Sequence, residues 1–182
     1  MDRDPDETLV ERCRRGDRGA FAELVDRYQR PIYNAAYRVL GNAEDAADIA
    51  QAVFLTVAER LDEYNAQYKF FSWIYRITIN KALNLQRHNV HEQALEDDND
   101  VPDTERTDPE WQARLAQLAG RVQVALMTLS IEDRVVITLR HFSDLSYREI
   151  GHVLELQEKT VKSRLFEARQ RLRDLLHDYE AA

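Results

Sequence analysis

The chain has 182 residues, of which 44% are hydrophobic and 32% are charged, and its formal net charge is −8. This balance is typical of a folded globular protein with one or two small domains, and it excludes an intrinsically disordered chain. No apolar run approaches the ~20 residues that span a bilayer, and the charged first residues lack the apolar segment of a signal peptide. We therefore expect a cytoplasmic protein.

The first part of the chain shows a succession of short helical patterns. A helix over 8–15 is stopped by Gly16, and a second helix begins after Asp17. Pro31 favours the start of a further helix, which Gly41 closes. The single cysteine, Cys13, lies in the first pattern, where we expect a half-buried residue, and it excludes a disulfide within these residues.

A long helix is predicted over 44–61, because apolar residues recur there at helical spacing. Asp45, Asp48 and Gln51 form a polar edge on its first half. Two interpretations remain open for this edge: a contact surface, or acids that only complement the helix dipole. The residues expected on its buried side are Ala46, Ile49, Val53, Val57 and Leu61.

The segment 64–87 is rich in aromatic and basic residues. Six of its first twelve residues are aromatic, and no acid occurs between Tyr64 and His91, although the chain as a whole is acidic. Ser72 is expected to cap a helix that begins at Trp73. On that helix one line of side chains carries a ring, amides and guanidinium groups, and the opposite side is apolar. The line consists of Trp73, Arg76, Asn80, Asn84 and Arg87, opposite Ile74, Tyr75, Thr78, Ile79, Ala82 and Leu85.

Such a surface suits single-stranded nucleic acid. Cations neutralise phosphates, aromatic planes stack on unpaired bases, and Asn hydrogen-bonds base edges. The preceding loop, 65–71, is long enough to hold a flipped base. The alternative is an ordinary surface helix whose aromatics are core and whose Arg and Asn are only solvated.

An acidic segment separates two halves of the chain. Between Glu92 and Glu110 there are nine acids and one base, which accounts for the whole net charge of −8. Two prolines and no periodicity predict a flexible linker over 93–110. Its function is either that of a solvated spacer or that of a negative strand that imitates nucleic acid in a positive channel.

The last part of the chain, 111–182, predicts a helix-turn-helix. Ser130 is expected to cap one helix, and Ser146 with Glu149 forms a capping box for the next. After a short break the final helix, about 158–176, carries six bases and three acids. Its N-terminal side chains would enter the major groove. The alternative is a basic helix in any helical bundle.

Both halves resemble one family, the extracytoplasmic-function group of RNA polymerase sigma factors in the sigma-70 superfamily. SYREIGHVLELQEKTVKSRLFEARQRLR resembles their helix-turn-helix, and DAADIAQAVFLTVAERLDEY with FFSWIYRITINKAL resembles their polymerase-binding and promoter-melting segments. The resemblance implies an all-α fold of two small helical domains joined by a flexible acidic linker. The domains would be 1–92, which is sigma-2-like, and 111–182, which is sigma-4-like, with the linker at 93–110.

The resemblance also implies roles for particular residues, and it implies neither catalysis nor a cofactor. Expected partners are core RNA polymerase, through the coiled coil of its largest subunit and the flap of its second subunit, promoter DNA, and an anti-sigma factor or other regulator. Binding of core polymerase is expected at Asp45, Asp48, Gln51 and Phe54. Recognition of the minus-ten element is expected at Tyr68, Phe71, Trp73, Arg76, Asn80, Lys81 and Asn84. Recognition of the minus-thirty-five element is expected at Lys159, Thr160, Lys162, Ser163, Arg164 and Phe166.

The sequence departs from the family pattern at several positions. Ala47 and Ala52 stand where glutamate is usual, which predicts weaker or differently controlled polymerase binding. Glu155 replaces the common turn glycine, so we expect a turn that needs no positive φ. Gly151 replaces an alanine, at about 1 kcal/mol of helix propensity, and Glu167 replaces a residue that is basic in several members.

Two other classes of protein are alternatives. A helix-turn-helix regulator that does not act through polymerase would share the last domain but would not need the aromatic and basic segment. An enzyme is disfavoured, because His88, His91 and Cys13 form no recognisable metal-ligand set and no phosphate loop is present.

Overall fold

The computed structural model describes the backbone of residues 4–92 and 109–181 and the side chains of residues 4–88 and 117–177. Its regular structure is entirely helical in these ranges, which confirms the predicted all-α class. Most of the predicted linker, 93–108, lies outside the described residues. The helices are α1 (Asp6–Arg14), α2 (Arg18–Leu40), α3 (Ala43–Arg60), α4 (Phe70–Glu92), α5 (Pro109–Thr128), α6 (Ile131–Ile137), α7 (Tyr147–Leu154) and α8 (Glu158–Ala181).

Helix α2 is unbroken, whereas the sequence predicted a new helix at Pro31. Proline removes one backbone donor, but Tyr28, Ile32 and Ala35 keep the same buried face on both sides of it, and their burial outweighs the ~3 kcal/mol that proline costs. The predicted ends are correct. The Asp17 carboxylate accepts from two backbone N–H groups at the start, and Gly41 closes the helix with φ 79°.

Helix α3 buries the predicted apolar side, and Asn42 caps it through bonds from two backbone N–H groups. A single 3-10 turn, Leu61–Glu63, then leads into the loop before α4. Cys13 is half-buried on α1, as predicted.

Helix α4 begins at Phe70, three residues earlier than predicted, and Ser72 does not cap it. Ser72 is buried inside the first turn, and its hydroxyl has no partner among the described residues. The cause is the burial of Phe70 between Tyr28 and Tyr64, whose ring centroids lie 5.5 Å away in both cases. This packing pulls the helix start into the aromatic segment.

The second half forms a helical bundle that ends in a helix-turn-helix. Ser130 caps α6 and both bonds of the capping box at Ser146 are present, as predicted. A π-helical turn, Thr138–Phe142, follows α6. Helix α5 begins at Pro109, so the last two residues of the predicted linker are helical.

The turn between α7 and α8 contradicts the sequence prediction, because Glu155 has φ 55° and is left-handed. A left-handed residue closes α7 by donating its N–H to the Gly151 carbonyl, which also accepts from Leu156 N at 2.9 Å. The close approach explains Gly151 as well, since a Cβ there would lie 2.7 Å from the Leu156 carbonyl oxygen. Glutamate in this conformation costs roughly 1 kcal/mol relative to glycine.

The two halves pack against each other. Arg134 of α6 is buried and donates to the Val39 carbonyl of α2 at 2.5 Å, and the Arg38 guanidinium lies 4.0 Å from the Phe142 ring centroid. Helix α4 of the first half also contacts α7 of the second half. The fold therefore brings the helix-turn-helix against the aromatic and basic segment.

Candidate nucleic-acid interface

The loop before α4 is held rigidly by the first domain. Arg14 of α1 donates to the carbonyls of Leu61 and Tyr64 at 3.1 and 2.8 Å. The buried Tyr64 hydroxyl donates to the Tyr68 carbonyl at 2.7 Å, and the Asn65 side chain accepts from the next-but-one backbone N–H at 3.0 Å. Neither Arg14 nor Tyr64 was predicted as a site residue, because the signal lies in contacts between distant segments.

The three aromatic residues predicted to contact the minus-ten element differ in exposure. Tyr68 is 44% exposed and lies at the tip of the anchored loop. Trp73 is half-buried against Tyr64 and Phe70, and Phe71 is half-buried between Tyr28 and Tyr75. Tyr68 is therefore the most accessible stacking surface of the three.

The polar line of α4 lies on its outer face. Asn80 and Asn84 are exposed, Lys81 is half-buried, and Arg87 is exposed near the end of the described side chains. Arg76 lies on the same line, but its guanidinium forms an ion pair with Glu155 of the second domain. The predicted apolar side is buried or half-buried throughout, so the separation of the two faces is confirmed.

The N-terminal half of α8 presents most of the residues predicted to contact the minus-thirty-five element. Lys159, Thr160, Ser163 and Phe166 are exposed, the last at 63%. Lys162 is exposed too, but its ammonium group lies 2.7 Å from the Glu158 carboxylate, which raises the pKa of the lysine. Arg164 is different, because it is half-buried and lines a groove of about 580 Å³ with Arg87, Leu83, Leu154 and Leu156.

The polar edge of α3 forms a separate surface. Asp48 and Gln51 are exposed, and Asp45 and Phe54 are half-buried. Beside them Leu55 is 60% exposed, although sequence analysis did not select it. Its signal was present, since it lies off the apolar stripe of α3.

The described residues show no metal centre and no membrane span. No group of three or more His, Cys, Asp and Glu side chains within them is arranged to hold an ion. In the same ranges no helix combines the length and apolarity needed to cross a bilayer.

Comparison with known proteins matches both halves to one family. The profile of sigma-70 region 2 matches residues 24–91, and that of sigma-70 region 4 matches residues 119–172. The ECF RNA polymerase sigma factor SigW of Bacillus subtilis is 33% identical over 180 residues, which covers 93% of this chain and 95% of SigW. The chain belongs to the extracytoplasmic-function group of the sigma-70 family.

Solved structures agree with this assignment to the sigma-70 family. CnrH in complex with the cytosolic domain of CnrY has a TM-score of 0.74 at 30% identity, and the match covers 96% of this chain and 99% of CnrH. The sigma factor RpoE of Bartonella quintana, solved with the anti-sigma factor NepR, has the same fold, with a TM-score of 0.71 at 20% identity. This match covers 86% of this chain and 96% of RpoE. The chain is thus an alternative sigma factor that directs promoter-specific transcription by RNA polymerase. Sigma factors are initiation factors rather than catalysts, and a regulator that acts without polymerase is not favoured.

Proposed function

We propose that this sigma factor opens promoters with the segment 65–71, which comprises the loop before α4 and the first two residues of the helix, and with the outer face of α4. The observation that carries the proposal is the ring of Tyr68, which is 44% exposed and already stacks on a flat ring, that of His152, from a loop anchored by Arg14 and Tyr64. A rigid stacking platform loses little entropy on binding, so it can hold an unpaired base of the minus-ten element in place.

The rest of that face supplies the other interactions that a melted strand needs. Asn80 and Asn84 are exposed amides one turn apart, which suits hydrogen bonds to successive base edges. Arg76 and Lys81 neutralise phosphates. Phe71 and Trp73 are half-buried, and their rings pack against those of Tyr28, Tyr64, Phe70 and Tyr75.

The second domain recognises the minus-thirty-five element through the start of α8. Lys159, Lys162 and Phe166 are exposed on one surface of this helix, which follows the turn of a helix-turn-helix. Thr160 and Ser163 lie between them and suit phosphate or base contacts. Arg164 lies in the groove toward α4, so its contact with DNA requires that the two domains separate.

Core polymerase binds the polar edge of α3. Asp48, Gln51 and Leu55 are exposed at steps of three and four residues, so they lie on one line of the helix. An exposed leucine next to polar groups supplies both the apolar and the polar contacts that protein interfaces combine. This line is the proposed contact for the coiled coil of the largest polymerase subunit, with Asp45 and Phe54 at its margin. The flap of the second subunit is the proposed partner of the second domain.

A regulator is expected to hold the factor inactive in the cytoplasm. CnrH and RpoE are similar to this chain, and their structures were solved with CnrY and with the anti-sigma factor NepR respectively. A comparable partner is the simplest way to cover both DNA-contacting surfaces together.

The acidic segment 93–110 is proposed to occupy a positive channel of the polymerase during initiation. The nine acids from Glu92 to Glu110 repel one another with only one base among them, which a plain spacer does not need. Replacing these acids by Ser and Asn at constant length should weaken initiation or alter promoter escape, while polymerase binding survives. Normal affinity, abortive products and escape with the neutral segment would reduce it to a tether.

Reconstituted transcription tests the promoter-opening proposal. Promoters are first identified by mapping transcript starts after overexpression, and purified core polymerase is then supplied with the factor. We expect specific transcripts that require Tyr68 and Asn80, while binding of core polymerase by the Tyr68→Ala/Asn80→Ala variant stays normal. Equal transcript yield from that variant would contradict the assignment of this face to the minus-ten element.

A further inference from the structure

The outer edge of α7 lies against the loop and helix that we assign to the minus-ten element. Three contacts join one aromatic ring and two cationic side chains of the first domain to side chains of α7 or of the turn that ends it. They are the stack of His152 on Tyr68, with ring centroids 3.8 Å apart and planes 9° apart, the ion pair of Lys69 with Glu149 at 2.8 Å, and the ion pair of Arg76 with Glu155.

This edge has the chemical pattern of single-stranded DNA. Glu149, His152 and Glu155 are spaced three residues apart, so two carboxylates flank one flat ring along one side of the helix. The carboxylates meet cations as phosphates would, and the imidazole covers the face of Tyr68 on which a base would stack. Burial and the neighbouring Arg76 lower the pKa of His152, so the ring is uncharged at neutral pH, as a base is.

Both carboxylates are held in position by the backbone. One oxygen of Glu149 accepts from the N–H and hydroxyl of Ser146 at 2.8 and 2.6 Å, which leaves the other oxygen for Lys69. Burial opposes ionisation of Glu149, but the bonds from Lys69 and Ser146 outweigh it and lower its pKa to about 2. Glu155 keeps its place at φ 55°, a strained conformation for a residue other than glycine.

We propose that Glu149, His152 and Glu155 form an internal mimic of single-stranded promoter DNA, which keeps the free factor closed. The proposal rests on the minus-ten role of Tyr68 and Arg76. Because one ring face cannot stack on His152 and on a base together, the mimic must leave before the promoter strand binds. The free factor then binds single strands only through the fraction of molecules that is open.

The test compares two full-length variants of matched composition. His152→Ala/Glu155→Gln removes the ring and one carboxylate of the mimic. His177→Ala/Asp174→Asn removes one histidine and one carboxylate from exposed positions of α8 that we assign to no partner. Because both variants lose the same charge, a general gain in DNA affinity appears in both.

Two quantities are measured in the absence of polymerase. The first is the separation of spin labels at Ala66→Cys and Arg148→Cys, in a Cys13→Ser background, which spans the contact. The second is the affinity of the unlabelled proteins for a fluorescent random-sequence pool of single-stranded DNA. We expect wider separation and about tenfold tighter binding for the α7 variant, and less than about twofold change for the control. Adding Tyr68→Ala to the α7 variant should abolish the gain.

Two results would overturn the proposal, and they have different consequences. An unchanged label separation with unchanged affinity would show that the contact does not hold the factor closed, and the minus-ten assignment would stand. A wider separation with no gain in affinity, and no effect of Tyr68→Ala, would remove the minus-ten assignment together with the mimic.

Discussion

Replacing Arg134 by methionine is expected to lower the free energy of unfolding by about 4 kcal/mol. The Arg134 guanidinium is buried, and in the described part of the chain it has no carboxylate partner. It donates instead to four backbone carbonyls at or near the ends of two helices, of which that of Leu126 also accepts from the Leu129 N–H. These are Leu126 at 3.1 Å, Met127 at 3.0 Å and Leu129 at 3.1 Å around the end of α5, and Val39 at 2.5 Å near the end of α2.

The magnitude follows from these four bonds. Each contributes about 1 kcal/mol net, and a cation at two helix C-termini adds a favourable dipole interaction. Methionine fills the volume of the aliphatic stem, so burial of apolar surface changes little. Lysine keeps the charge but has three donors and no planar fork, so we expect Arg134→Lys to cost about half as much.

Urea denaturation followed by far-ultraviolet circular dichroism measures the effect of Arg134→Met. Arg173→Met is the matched control, because Arg173 is exposed and, within the described part of the chain, its side chain bonds to that of Gln170 alone; we expect a change below about 0.5 kcal/mol. Burial lowers the pKa of Arg134, so part of its bonding offsets desolvation. A methionine variant within about 1 kcal/mol of the original chain would refute the reasoning, since it would show that desolvation cancels the bonds.

Three further predictions concern the helix-turn-helix and its contact with the first domain. Gly151→Ala should destabilise the fold, because the added Cβ would lie 2.7 Å from the Leu156 carbonyl oxygen. Gly120→Ala, whose Cβ would meet nothing within 4 Å, should stabilise the fold by up to about 1 kcal/mol. Equal melting temperatures for the two variants would contradict this. Lys162→Ala should weaken binding to the cognate upstream element by about 1–3 kcal/mol if the lysine contacts a base. Glu158→Gln should strengthen duplex binding, because it frees the Lys162 ammonium group from its ion pair. Unchanged affinity for cognate and scrambled duplexes would exclude both effects. The last prediction is a pH dependence of single-strand binding by the free factor. In the closed contact His152 faces Tyr68 and Arg76, with Glu155 beside it and the Lys69–Glu149 pair on the same edge, and its pKa is lowered. The closed form is therefore fully stable above the ordinary pKa range of histidine and loses stability as the pH falls through that range. Acidification to about pH 5.5 should therefore increase binding, and His152→Phe, which keeps a ring that cannot be protonated, should remove this part of the response; an identical response in the variant would contradict it.

Local signals in the sequence predicted the helices and their ends well. Ser130 and the pair of Ser146 with Glu149 cap as expected, and α2 begins directly after Asp17 as expected, because a cap is completed by residues within a few positions of each other. The buried stripe of α3 and the two faces of α4 also follow from spacing alone. The family resemblance, which rests on motifs in both halves, gave the function.

Predictions failed where distant residues decide the outcome. The aromatic cluster around Phe70 moves the start of α4 and half-buries Trp73, and no local pattern reports this packing. Glu155 adopts a positive φ because the turn closes on Gly151, while its side chain meets Arg76 in the other domain. The contact of Phe70 with Tyr28 and the ion pair of Arg76 with Glu155 join residues that lie far apart along the chain, and the second depends on the packing of the two domains.

Permanganate reactivity of promoter thymines tests most directly that Tyr68 and Asn80 hold the melted strand. Holoenzyme is assembled from core polymerase and either the original factor, Tyr68→Ala/Asn80→Ala, or Asn34→Ala, in which the exposed asparagine lies on α2. The account predicts reactive thymines at the minus-ten element with the original factor and with Asn34→Ala, and none with the double variant, although all three bind core polymerase equally. Thymines as reactive with the double variant as with the original factor would contradict it.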